Sequence, residues 1–306
     1  MNRRTLLTGA AATASLALAA RPTLALDATT LNVAYAGSMG ALMEGPVKRA
    51  AAQRLNVTMQ GRGQGATALA QLIAGGSLNP DVFISVTPSP MLMVLRAGKA
   101  KAARPIAKTE MVIAYSPKSR FAPLFASAGK PGAMPWWEIL EQPGLRFGRT
   151  DPNVNPEGQY IIFTMQLAAQ YYHRPELVGR VLGPTINPPQ IFEETTVEAR
   201  LQAGELDAAS AYKIEPGPFH LPYVELPEQI NFGSDRYADF YSHASLTLGG
   251  KTHRPEPLVY YAAVLDGSPH ARKAQAFVDL LAGPQGQAIF RNYNYDAPGA
   301  AAPLRA

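Results

Sequence analysis

The sequence predicts an α/β protein made of two successive blocks with a ligand cleft between them. Three observations lead there. In the first third of the chain, short apolar runs alternate with helical patterns in the order β-α-β-α-β-α-β, which implies a mainly parallel sheet. A second series of strand, turn and helix begins near residue 144. Both series carry small or polar turns between a strand and the helix after it, where open α/β sheets bind ligands. With 306 residues, 47% hydrophobic and 17% charged, the chain can bury the core of one large or two ordinary domains.

The elements read in order as follows. "TLNVAYAG" (30–37) is a strand, and "ALMEGPVKRAAAQRL" (41–55) a helix containing a proline. "NVTMQGRGQG" (56–65) is a strand ending in glycines. "ATALAQLIAGG" (66–76) has apolar residues three and four apart and stops on Gly75-Gly76, a helix pattern with its terminator. "DVFISVTPS" (81–89) is a strand running into a proline turn, "MLMVLRAG" (91–98) a short helix, and "EMVIAYSP" (110–117) a strand. In the second block, "GLRFGRTDPNVNPEGQYIIFTMQLAAQYY" (144–172) is strand, polar turn and long helix. The stretch 188–213 holds an extended piece, a helix over about Thr195–Ala203 and the strand "LDAASAYK". "PLVYYAAVL" (257–265) is a further strand. Residues 268–293 are helical, capped by Ser268 and broken at Gly283-Pro284.

The N-terminus is a targeting signal. "MNRRTLLTGAAATASLALAARPTLALDATT" has twin arginines at Arg3-Arg4, an apolar stretch from Leu6 to Ala20 and a small-residue site ending at Ala25. Residues 1–25 are expected to be removed on export to the periplasm. The formal charge of +5 is partly theirs: of 28 basic residues three lie in this segment, leaving 25 against 23 acidic, a net of +2. No Lys/Arg stripe remains, so nucleic-acid binding is not expected. There is no cysteine, which excludes disulfides, thiolate metal sites and cysteine nucleophiles together.

Three strand-to-helix turns stand out: Gly37-Ser38-Met39, Gly63-Gln64-Gly65 and Thr150 to Gly158. Helix N-termini at such turns offer free N–H groups and a partial positive charge, which suit an anion. Ala36-Gly37-Ser38-Met39-Gly40 loosely matches a nucleophile elbow, but it lies on the first strand and no histidine is flagged as its partner. Gly61-Arg62-Gly63-Gln64-Gly65 lacks both the P-loop ending and dinucleotide-turn spacing. Ser38 therefore reads as a helix cap, a ligand donor or both. Ser85 reads as a turn serine or a cleft donor. Glu193 and Glu194 precede a helix, where acids favour its dipole. Trp136-Trp137 reads as a hydrophobic knob, and Tyr115, Tyr171, Tyr172, Tyr260 and Tyr261 as core or boundary residues.

At these residues the sequence resembles the substrate-binding proteins of molybdate/tungstate ABC transporters, in particular the tungstate-type branch. The supporting stretches are "YAGSMGALME", "EMVIAYSPKSRF", "GLRFGRTDPNVNPEGQY" with "MQLAAQYY", "AGELDAASAYK", "YVELPEQINFGS", "YADFY" and "FVDLLAGPQGQAIF". The resemblance implies the two-lobed type II periplasmic binding fold, lobe one at 27–108 plus 266–306 and lobe two at 109–265. It implies no enzyme, a monomer, and delivery of an oxyanion to a membrane permease. Carried over residue by residue, the ligand set is Gly37, Ser38, Gln64, Gly65, Ser85, Asn155, Glu194 and Tyr212. Glu194 is also the one candidate for bonding the metal of molybdate or tungstate directly. No cofactor is implied.

The sequence departs from the family twice. The second turn carries Gln64 where the family has serine, and the acid of the family's N-P-N loop, to which Asp151 to Gly158 corresponds here, is replaced by Val154-Asn155. Hydrogen-bonded, tetrahedral capture is the expectation that follows. Arg62 and Arg149 near the cleft could favour a different anion. The alternatives are the same fold binding sulfate, phosphate or a small organic acid, and a secreted serine hydrolase using Ser38.

Overall fold

The computed structural model describes residues 28–305. The export signal read at 1–25 lies outside the described residues. Three sheets organise the chain. The first contains β1 (Thr29–Ala36), β2 (Val57–Gln64), β3 (Val82–Val86) and β4 (Ala102–Lys108). The second contains β5 (Met111–Tyr115), β6 (Phe147–Gly148), β7 (Ala208–Tyr212) and β8 (Tyr223–Glu225). A hairpin of β9 (Leu246–Leu248) and β10 (Lys251–His253) stands apart. The chain then returns to the first sheet through β11 (Val259–Val264) and ends in β12 (Leu304–Arg305).

The strand order of the large sheet is β12-β4-β11-β3-β1-β2. Parallel pairing is confined to β1 with β2 and with β3; β11 runs antiparallel between β3 and β4. In the small sheet only β6–β7 is parallel. The sheets are thus mixed, which corrects the expectation of a mainly parallel one. Alternation along the sequence reports on consecutive strands; it is silent on a strand that returns from the far block. β11, grouped by the sequence with the second lobe, is hydrogen-bonded inside the first sheet.

Local sequence explains the elements that frame the cleft. β1 is apolar on both faces and buried from Val33 to Ala36, as a central strand between helix layers is. Its partner β2 holds Gly61 and Gly63 opposite Val33 and Tyr35. A Cβ at Gly61 would lie 1.9 Å from Glu44 Oε1, and one at Gly63 would lie 2.9 Å from the Tyr35 ring. These glycines make room for Tyr35, whose hydroxyl donates to Glu44 (2.7 Å); the Gly-rich run is a packing device, not a phosphate loop. The proline-containing helix is bent: it starts at Gly40–Leu42, widens over Met43–Val47 at Gly45-Pro46, and resumes as α1 (Lys48–Leu55). Helix α2 (Ala66–Ala74) follows β2 directly, and α3 (Pro88–Arg96) follows β3.

In the second block, α4 (Pro156–Tyr171) starts with proline in its first turn, and the Asn155 side chain accepts the Glu157 N–H (2.9 Å). Helix α5 (Val197–Ala203) follows a 3₁₀ turn at Glu194–Thr196. Helices α6 (Ala271–Ala282) and α7 (Pro284–Arg291) are separated at Gly283-Pro284 as the sequence indicates. Ser268 accepts the His270 N–H (3.1 Å) just before α6 and donates to Asp81 (2.5 Å). Trp136 and Trp137 are buried against Tyr172. Tyr171 is 41% exposed, so it belongs to the surface and not to the core. No helix among the described residues is long and apolar enough to cross a membrane.

Candidate functional site

The site forms where the end of β1 meets the segment ahead of α5. After Ala36 the chain turns tightly through the 3₁₀ turn Gly37–Met39. The carboxylate of Glu194 fills that turn. Its Oε1 accepts the Ser38 N–H (3.0 Å), and the Gly37 N–H and the Asn155 side chain lie near enough to favour its charged form. The fit is close: a Cβ at Gly37 would lie 2.2 Å from Glu194 Oε2. Asn155 thus serves two features, its oxygen capping α4 and its side chain lying close to Glu194. The contact joins the first sheet's unit to the second's, 156 residues apart in sequence.

A second close approach lies beside it. Gly65, just ahead of α2, packs against the N-P-N loop so tightly that a Cβ would lie 2.6 Å from the Val154 carbonyl oxygen. Around these contacts the cleft holds two cavities that share Glu194. One, about 320 Å³, is lined by Gln64, Gly65, Thr150, Asp151 and Asn155 among others. The Thr150 Oγ1 is buried there without a partner. The other, about 240 Å³, is lined by Gly37, Ser38, Glu198, Glu215, Phe219 and Tyr295 among others. No Lys or Arg lines either.

Electrostatics at the site are dominated by buried acids. Glu194 Oε2 is sealed from solvent with no hydrogen-bond partner. Burial pushes the Glu194 carboxyl up to about 7, against the pull of the Asn155, Ser38 and Gly37 donors. Glu198, 6% exposed, is likewise raised by burial to about 7. Glu157 accepts from Ser210 Oγ (2.7 Å) and Glu215 from the Tyr212 N–H (2.6 Å). Burial holds both well above the usual carboxylate range. Among the described residues no Lys or Arg offsets the four, so burial of their charged forms is left uncompensated. No group of three or more His, Cys, Asp or Glu among the described residues is placed to hold a metal ion.

Of the predicted site residues, the structure brings Gly37, Ser38, Gln64, Gly65, Asn155 and Glu194 to the cleft. It does not bring Ser85, whose buried hydroxyl donates to the Thr87 carbonyl (2.9 Å) within its own turn. Tyr212 is fully buried behind the site, its hydroxyl unpartnered, and lines neither cavity. Ser38 is not a side-chain cap: it sits inside the 3₁₀ turn, and its Oγ lies 3.1 Å from the Tyr260 hydroxyl. Arg149 is turned away from the cleft. Its buried guanidinium donates to Gln190 (3.2 Å) and to the carbonyls of Pro184 (3.1 Å) and Thr185 (2.9 Å), tying down that loop. Arg62 is exposed and lines neither cavity. Sequence reasoning missed Glu157, Glu198, Glu215 and Tyr295, and it read Tyr260 as a core or boundary residue. An acid in the first turn of an otherwise apolar helix, as at Glu157, was the one available signal.

Comparison with known proteins agrees with this architecture. Over 190 residues the chain is 38% identical to an uncharacterized solute-binding protein of Petrotoga mobilis, covering 60% of this chain and 57% of that one. It is 32% identical over 212 residues to the molybdate/tungstate-binding protein WtpA of Pyrococcus abyssi, covering 62% of this chain and 60% of that one. The matched part spans about 60% of the length of these curated relatives. Among solved structures, the periplasmic molybdate-binding protein of Azotobacter vinelandii superposes with a TM-score of 0.56. Its identity is 16%, and the match covers 87% of this chain and 98% of that one, a likeness of fold. Residues 31–296 match the family of bacterial extracellular solute-binding proteins. Because that match runs from β1 through α7, most of the chain, the chain belongs to the bacterial extracellular solute-binding protein family.

Proposed function

We propose that this protein captures a tetrahedral oxyanion, molybdate or tungstate, in the cleft and presents it to an ABC permease. The observation that carries the reading is the Glu194 carboxylate seated in the Gly37–Met39 turn, accepting the Ser38 N–H with the Gly37 N–H and the Asn155 side chain beside it. A turn that satisfies a carboxylate this way has the donors an oxyanion needs. The name of the Pyrococcus relative supports the same class of cargo.

Neutral donors suit a dianion, because they replace its hydration shell without a fixed counter-charge. Selectivity then rests on the number and spacing of donors and on cavity size. Glu194 faces two options as the anion arrives. It bonds the metal centre of the oxyanion directly, or it keeps its proton and donates to an oxo group. A group that titrates near 7 serves the second role at neutral pH. With Asn155 where the family has an acid, a second carboxylate ligand from that loop is missing, and the hydrogen-bonded route is favoured. Closure over the ligand produces the form a permease recognises. The protein is not an enzyme in this reading; it is exported to the periplasm behind its N-terminal signal and acts as a monomer.

A thermal-shift screen of the purified mature protein tests the proposal. Stabilisation by micromolar tungstate or molybdate, with no response to sulfate, is expected. A response to sulfate or phosphate alone would move the cargo to another anion, and no response to either metal oxyanion would sink the reading.

A further inference from the structure

We propose that Tyr260 is a positioning residue, turning the Ser38 hydroxyl hydrogen toward the bound anion; the inference rests on the oxyanion reading above. Tyr260 lies on β11, paired with Val86 of β3, so it comes from the strand that returns from the second block. Its side chain is fully buried, and its ring packs edge-on against Tyr295 at 5.4 Å. Its hydroxyl sits 3.1 Å from Ser38 Oγ.

The direction of that hydrogen bond follows from the surroundings. Among the described residues, Ser38 Oγ is the acceptor within reach of the Tyr260 hydroxyl. If Ser38 donated to Tyr260, the phenol hydrogen would be buried without an acceptor, an arrangement proteins avoid. With Tyr260 as donor both hydrogens are used. The phenol supplies one to Ser38, and the serine hydrogen is free to point into the cavity its residue lines. Burial keeps the phenol in its neutral, donating form throughout the physiological range. A dianion accepts hydrogen bonds and offers none, so a serine locked with its hydrogen toward the cleft serves it better than a free rotor. Tyr212 is buried nearby with an unpartnered hydroxyl and does not substitute for this contact.

The test is a double-mutant cycle of Ser38→Ala and Tyr260→Phe, read in two ways. Calorimetry measures tungstate affinity, and melting midpoints are taken without any anion. Loss of one charge-assisted hydrogen bond weakens binding by about tenfold or more. Ser38→Ala is expected to show that loss, and Tyr260→Phe most of it. The double variant should bind no worse than Ser38→Ala, because Tyr260 acts only through Ser38. Additive losses in affinity would overturn the inference, as would a Tyr260→Phe variant binding within twofold of wild type. A packing role alone would lower the melting midpoint and leave affinity in place. A wild-type protein that binds neither tungstate nor molybdate overturns the oxyanion reading and this positioning role together. In that case coupled melting midpoints would still report the contact itself, which separates the two failures.

Discussion

Replacing Glu194 by glutamine tests the electrostatic core of the site. In the folded, ligand-free protein burial raises this carboxyl from its ordinary 4.5 to about 7. A raised carboxyl pKa means that the fold prefers the protonated form. The stability it contributes is therefore full below about pH 4.5 and is lost as pH rises through 7. A shift of this size corresponds to about 3 kcal/mol between the two ends of that window. For a chain of this length that is roughly 5–10 °C in melting midpoint. Glu194→Gln keeps the shape and an acceptor for the Ser38 N–H but has no charge to bury. The assay is a set of thermal melts of both proteins without oxyanion between pH 4.5 and 8.5. The wild type is expected to lose stability as pH rises, and the variant to lose less by about the amount above. Glu157, Glu198 and Glu215 supply the slope that remains, since burial raises them too. Parallel pH profiles for the two proteins would refute the placement of a buried carboxylate in the Gly37–Ser38 turn.

Three further outcomes follow from the geometry. Gly65→Ala places a methyl 2.6 Å from the Val154 carbonyl oxygen; it should hold the cleft ajar, with oxyanion affinity down at least tenfold and a larger radius of gyration in small-angle scattering. An unchanged affinity would show that the two loops need not touch. Ser85→Ala removes a hydrogen bond within its own turn; it should cost about 1 kcal/mol of stability and leave anion affinity within twofold, whereas a tenfold loss would return Ser85 to the site. Arg149→Leu frees three acceptors of the 184–190 segment; it should destabilise the fold by about 2–4 kcal/mol in denaturant titrations. Its oxyanion affinity should barely change, and a selective loss of binding would mean that the guanidinium reaches the anion after all.

Much of this molecule is written locally. The β1–turn–helix unit is legible because an apolar strand, a small-residue turn and a helical pattern each depend on adjacent residues. The same holds for Asn155-Pro156 at the head of α4 and for the Gly75 and Gly283-Pro284 helix ends. The turns that carry Ser38, Gln64, Gly65 and Asn155 stand out in the sequence because strand-to-helix turns are where such sheets bind ligands. The family resemblance then singled out Glu194 from an otherwise ordinary acidic pair.

The tertiary structure decided what distance along the chain conceals. β11 inserts antiparallel between β3 and β4, and only that insertion puts Tyr260 beside Ser38, 222 residues away. Glu157, Glu198 and Glu215 look like helix or loop acids in sequence. They come together because α4, α5 and the segment after β7 converge at the cleft. Ser85 and Arg149 sit at plausible positions and are drawn into other contacts, since a buried hydroxyl or guanidinium takes the nearest acceptor the fold supplies. Sequence by itself determined the elements and the turns that border the cleft. Packing determined which side chains line that cleft and which acids are buried there, because burial and hydrogen-bond partners are set by neighbours that only folding brings together.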